Sequence, residues 1–132
     1  MIDDSTIDVC IVEDDAAMRV AMSRVLEAAG FHPWSYPSGE ALQASAHVMR
    51  PTCFIIDINL PGMSGFQLAA QLVASRRAAP FIFITAHDEV TNRRRALAAG
   101  AAAFLPKPFL GRTLIEAVRA TGHPGGATTK NA

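Results

Sequence analysis

Short apolar runs recur along the chain without polar alternation, and each ends abruptly in a charged, hydroxyl or turn-forming residue. Ile7 to Val12 runs into Glu13-Asp14-Asp15, and Cys53 to Ile56 runs into Asp57, with Pro61 and Gly62 forcing a turn soon after. Pro80 to Ile84 ends in Thr85-Ala86-His87-Asp88, and Ala101 to Leu105 ends in Pro106-Lys107-Pro108. Runs of this kind predict buried strands, and those ending at Asp57 and Thr85 are expected to be covered on both faces. Phe31 to Tyr36 reads as a further strand. Its Pro33 lacks a ladder donor, which predicts an edge position.

Between these runs the apolar residues fall at helical spacing. One helix is expected from about Ala16 to Ala29, burying Met18, Met22, Val25, Leu26 and Ala29, with Gly30 as its stop. A second, capped by Ser38, is expected to run to about Met49. A third, capped by Ser64, extends to about Ser75, with Phe66, Ala69, Ala70 and Val73 as its stripe. A fourth covers about Glu89 to Ala99, ahead of Gly100. The last covers about Leu110 to Thr121, with Leu114 and Val118 one turn apart. Residues 1–121 therefore read as one domain. The stretch 122–132 lacks apolar periodicity and is expected to be a flexible tail.

Strand and helix alternate five times, which predicts an α/β fold: a parallel sheet with helices on both faces, joined by right-handed crossovers. In such a sheet all carboxyl ends lie along one edge, where ligands bind. Glu13 and Asp14, Asp57, Thr85 and Lys107 are the polar residues at which four buried strands emerge. Taken alone, Asp57 reads more readily as a turn or capping aspartate. Asp15 is accounted for as the start of a helix, whereas Glu13 and Asp14 are not.

Composition narrows the classes. Half of the 132 residues are hydrophobic, enough for a core, and 12 basic residues balance 12 acidic ones, so no overall basic field suggests nucleic acid. No apolar run approaches the roughly 20 residues of a membrane span, and Asp3, Asp4 and Asp8 are unlike a signal peptide. Cys10 and Cys53 sit in apolar runs and read as reduced, buried residues of a cytoplasmic protein.

Carboxylates crowded at one sheet edge repel one another, and a hard divalent cation with oxygen ligands relieves that repulsion. A metal, a lysine and a hydroxyl together can clamp the oxygens of a transferring phosphoryl group. A carboxylate can then act as nucleophile and form an acyl phosphate.

Four motifs, in order, carry a resemblance: the acidic pair in IVEDD, IIDINLPGMSG, the Thr-Ala of FITAHD, and GAAAFLPKPF with its Lys-Pro. The chain from about Ile7 to Thr121 resembles the receiver domain of a two-component response regulator, closest in look to receivers that precede a helix-turn-helix (LuxR-type) output domain. The resemblance implies a doubly wound, flavodoxin-like (βα)5 sandwich with strand order 2-1-3-4-5. It implies that Asp57 is the phosphoacceptor and that Mg²⁺, replaceable by Mn²⁺, is held by Glu13, Asp14, Asp57 and the backbone carbonyl of Asn59. Thr85 and Lys107 are implied to serve the phosphoryl group. Thr85, Ala86 and Phe104 are the implied switch residues, and a cis peptide is expected before Pro108. The implied partners are a sensor histidine kinase or a histidine phosphotransfer protein. An output domain or effector would meet the surface of the fourth helix, fifth strand and fifth helix, and a phosphorylation-dependent homodimer also fits. Neither nucleic acid nor membrane is expected to touch this chain directly. Glu13 departs from the family's more frequent aspartate while keeping the charge.

Two other classes stay open at this point: a small hydrolase or phosphotransferase working through an aspartyl phosphate, and a receiver-like module that binds partners without phosphorylation. The short loops at the carboxyl edge leave little to enclose a small substrate, and the filled chemical positions weigh against the third class. His87 is expected to be a solvent-exposed loop residue beside the phosphoryl site, Arg93-Arg94-Arg95 a solvated helix face, and Trp34 and Tyr36 packing residues.

Overall fold

The computed structural model describes residues 7–45, 51, 53–75, 79–87 and 89–122. The expected tail beyond Gly122, the polar connection through Arg76 and Arg77, and the far end of the expected second helix lie outside the described residues. The elements alternate as β1 (Asp8–Val12), α1 (Ala16–Ala28), β2 (His32–Tyr36), α2 (Gly39–Ala44), β3 (Cys53–Asp57), α3 (Gly65–Ala74), β4 (Phe81–Thr85), α4 (Val90–Ala98), β5 (Ala103–Pro106) and α5 (Gly111–Gly122). The strands form one parallel sheet in the order β2-β1-β3-β4-β5. Pro33 lies on the edge strand β2, as its missing donor requires, and Pro106 closes the opposite edge strand.

The period-two geometry of the strands sorts the core onto two faces. Cys10, Val12, Phe54, Ile56 and Phe83 point to the side covered by Leu42 of α2 and by Leu68 and Leu72 of α3. Val9, Ile11, Ile55, Ile82 and Ile84 point to the side covered by Met22 and Leu26 of α1 and by Leu114 and Val118 of α5. Burying each such side chain contributes about 1.5–3 kcal/mol, so β1, β3, β4 and the helices that cover them dominate the stability. By contrast α4 buries only Ala96 and is the least anchored of the long helices. Cys10 and Cys53 are buried and not joined in a disulfide, as expected. Burial pushes the Cys53 thiol up to about 11, so it stays protonated at neutral pH.

Two expectations need correction. The second helix stops at Ala44, because Ser45 turns to extended backbone (φ −67°, ψ 131°) and meets Tyr36 Oη through its hydroxyl at 3.2 Å. The buried stripe of α3 is Leu68, Ala69 and Leu72, with Phe66 half-buried beside it, whereas Ala70 and Val73 face solvent. Its helical period was right, but the face was set one residue out. The arginines of α4 are exposed, as expected, and two of them also lie over rings: the Arg93 guanidinium is 5.1 Å from the centre of the Phe104 ring and that of Arg95 is 4.1 Å from Phe66. Such contacts contribute about 0.5–1 kcal/mol each at exposed sites, and here they partly replace the burial that α4 lacks.

One contact fixes β3 against α3. A Cβ on Gly65 would lie 2.3 Å from the Asp57 carbonyl oxygen and 2.8 Å from Ile58 Cα. Both neighbours are backbone and cannot rotate away. The Gly65 N–H also donates to the Ile58 carbonyl at 2.9 Å, and a Ser64–Gln67 capping box seals the helix start. Gly65→Ala is therefore expected to lower stability by about 2–3 kcal/mol, as overpacking against rigid atoms does. Urea unfolding checks this, and a loss below half that value would mean the helix start can shift.

Candidate functional site

The site lies where β1, β3, β4 and β5 end. After β1, the Glu13 N–H still donates to the Tyr36 carbonyl (3.0 Å), so its backbone continues the ladder while its carboxylate turns into the sheet edge. Glu13 is fully buried. Its Oε2 accepts from the Asp15 N–H at 3.1 Å, and its Oε1 accepts from Lys107 Nζ at 2.7 Å. Asp15 is the N-cap of α1, accepting from the N–H groups of Ala17 and Met18, which agrees with its reading as a helix start. Asp14 is exposed.

Asp57, the last residue of β3, is 3% exposed. Its Oδ2 accepts from Lys107 Nζ at 2.9 Å and its Oδ1 from the Asn59 N–H at 2.9 Å. One ammonium thus bridges two buried carboxylates from different strands. Lys107 stands just past β5, with its N–H donating to the Thr85 carbonyl at 2.7 Å, and the Lys107–Pro108 peptide is cis, as expected.

The electrostatics follow from burial. Desolvation pushes the Glu13 carboxyl above its usual range. The hydrogen bonds from Lys107 and the Asp15 N–H oppose that rise, and the Asp57 charge adds to it. For Lys107, burial disfavours the ammonium, but hydrogen bonds to Glu13 and Asp57 and their two charges outweigh it and raise its pKa. Glu13, Asp14 and Asp57 each offer an oxygen, and these atoms all lie within 4.8 Å of one another. An all-oxygen donor set with one exposed member suits a hard divalent cation that keeps waters, so the cluster can hold a metal ion.

Thr85 ends β4 fully buried. Its hydroxyl donates to Asn59 Oδ1 at 3.0 Å and accepts from the His87 N–H at 2.9 Å. Ala86 and His87 are exposed, and the His87 carbonyl accepts from Asn92 Nδ2 of α4. Phe104 pairs with Phe83 in the ladder, half-buried under Arg93, and so lies on the α4 side of β5 rather than among the carboxylates. The sequence reading missed Arg19, whose Nη1 donates to the Glu13 and Asp14 carbonyls at 2.7 and 3.1 Å and ties α1 to the acidic loop. A cation one turn into a helix that follows an acidic loop was the available signal.

Removing the shared cation leaves two buried carboxylates facing each other. In chelator at pH 7, Lys107→Met is expected to cost on the order of 2 kcal/mol, less than a fully buried pair because part of the lysine reaches solvent. Without the ammonium, the Glu13 pKa in the folded state rises further above its unfolded value. That penalty grows as pH rises and fades as pH falls. Unfolding curves at pH 7 and pH 5 should show the gap to the parent protein narrowing at the lower pH, and a gap that widens there contradicts the assignment.

The family described as response regulator receiver domain matches residues 9–119. Nodulation protein W of Bradyrhizobium diazoefficiens is 33% identical over 110 residues, covering 83% of this chain and 48% of that protein. Transcriptional regulatory protein FixJ of Rhizobium meliloti is 35% identical over 114 residues, covering 86% and 56% respectively. The chain thus spans about half the length of these curated relatives. Among solved structures, FixJ-N is 32% identical with a TM-score of 0.82, covering 94% of this chain and 97% of that one. The chemotaxis protein CheY4 of Vibrio cholerae is 26% identical with a TM-score of 0.80, covering 87% and 98%. Motif order, sheet order and the convergence of acidic residues and lysine on one edge all agree with this match, and the chain belongs to the response regulator receiver domain family.

Proposed function

We propose that this chain is the phosphoacceptor of a two-component signalling system, taking a phosphoryl group on Asp57 from the phosphohistidine of a sensor histidine kinase or a histidine phosphotransfer protein. The observation that carries the reading is the Lys107 ammonium held between Glu13 and Asp57, with an Asp14 oxygen in reach of both carboxylates. An Asp57 oxygen attacks phosphorus, the P–N bond breaks, and its electron pair leaves on the imidazole nitrogen. Lys107 and the Thr85 hydroxyl are the chain's own donors for the phosphoryl oxygens. Mg²⁺, or Mn²⁺ in its place, held by Asp14, Asp57 and the Asn59 backbone carbonyl and by Glu13 through water, would neutralise charge on those oxygens.

Phosphorylation adds charge and acceptor oxygens beside Thr85. The Thr85–Ala86 loop then closes toward the phosphoryl group and Phe104 turns inward. The half-buried Phe104, the lightly anchored α4, and a cavity of about 280 Å³ lined by Arg93, Ala96, Leu97 and Phe104 support this reading. The altered α4-β5-α5 surface engages an output domain or effector, or a second copy, in the cytoplasm. Residues 1–121 form the receiver. The hydrolase and phosphotransferase alternative is disfavoured by membership of a signalling family and by short loops at the carboxyl edge.

Labelling with radioactive acetyl phosphate tests the chemistry. Incorporation of one phosphoryl group is expected with Mg²⁺ and none with chelator or in Asp57→Asn. Asp14→Ala should weaken the Mg²⁺ requirement's affinity by roughly tenfold or more, the scale of losses at metal sites. Undiminished labelling of Asp57→Asn would overturn the assignment of the acceptor, and unchanged Mg²⁺ affinity in Asp14→Ala that of the ligand.

A further inference from the structure

Asn59 touches both halves of the site at once. Its N–H donates to Asp57 Oδ1 at 2.9 Å, while its side-chain carbonyl accepts the Thr85 hydroxyl at 3.0 Å. Thr85 is fully buried and Asn59 is exposed. A hydroxyl has one proton and two lone pairs. Here a lone pair of Thr85 Oγ1 is taken by the His87 N–H at 2.9 Å, and its one proton is committed to Asn59 Oδ1.

A phosphorylated carboxylate presents acceptor oxygens to its surroundings, so Thr85 can serve it only by donating. The proton it needs is the one Asn59 holds. We propose that the Asn59 side chain is a positioning residue that holds Thr85 in its phosphate-free arrangement, and that a phosphoryl group on Asp57 must displace it. This rests on the phosphoacceptor reading above and adds a role for a side chain whose backbone carbonyl alone was expected to matter. Hydrogen bonds to charged acceptors are roughly twice as strong as neutral ones, so the phosphoryl oxygens win the competition while Asn59 sets how far the equilibrium must be pushed. The His87 N–H can follow Thr85 only if the backbone moves, which couples the exchange of partners to the loop.

A double-mutant cycle on the full chain isolates this bond. Asn59→Ala, Thr85→Ala and the double variant are unfolded with urea in chelator. The two changes should couple by about two- to tenfold in the unfolding equilibrium, the net worth of one neutral hydrogen bond. The same four proteins are titrated with beryllofluoride and Mg²⁺, following the Ala86 amide by NMR. Asn59→Ala should tighten beryllofluoride binding by about two- to tenfold when Thr85 is present, and leave it unchanged when Thr85 is alanine. Zero coupling in the unfolding cycle overturns the proposal whatever the ligand does. An equal effect of Asn59→Ala in both backgrounds shows that Asn59 acts through the metal or solvent and also overturns it. A parent protein that takes up no beryllofluoride overturns the phosphoacceptor reading itself, a result distinguishable from the other two.

Discussion

A single ammonium holds the carboxyl edge of the sheet together. Lys107 arrives from β5 and reaches across to carboxylates that leave β1 and β3, at 2.7 and 2.9 Å. Burying either carboxylate without a counter-charge would be costly, since an unpaired charge out of water is far costlier than the pair. The parallel sheet makes the meeting unavoidable, because it brings every strand end to the same side. The core then has only to hold the strands in register, and its two apolar faces do so independently of the chemistry.

The two sides of this cluster are built differently. On the β3 side the backbone is wedged: Gly65 abuts the Asp57 carbonyl, the Ile58 N–H donates to the Ile84 carbonyl at 2.9 Å, and the Met63 N–H is held by Glu40 Oε2 at 2.8 Å. On the β4 side, among the described residues, the start of the loop after Thr85 is held by contacts through the side chains of Thr85, Asn59 and Asn92. In the proposed switch, motion that answers a change at Asp57 would enter the β4–α4 connection, and the α4 that follows it buries only Ala96.

Much of this was legible in the residues. Uniformly apolar runs ending in polar residues revealed four of the strands, Pro33 marked an edge, and the order of acids, threonine and lysine identified the cluster before any distance was known. What escaped the sequence was set by tertiary geometry. The α3 stripe was misplaced because Phe66 and Val73 share a helical face with Ala70, and only the approach of Gly65 to β3 decides which face turns inward. The exposure of the α4 arginines was legible, but their contacts with Phe66 and Phe104 were not, because nothing local says that those rings come beneath them. Arg19 and the Asn59 side chain act on backbone or on a residue 26 positions away, and such pairings carry no periodic signal.

Both outer strands of the sheet contain a proline, Pro33 in β2 and Pro106 in β5. An exposed strand edge is a template on which another chain can add its own backbone, and a missing N–H interrupts that template. Because both edges are interrupted, extension of the sheet from one molecule into the next is discouraged at either end. Any association between copies would then fall to helix faces and side chains, which a change of local shape can make or unmake. A continuous backbone ladder, once formed between two molecules, would be much harder to reverse.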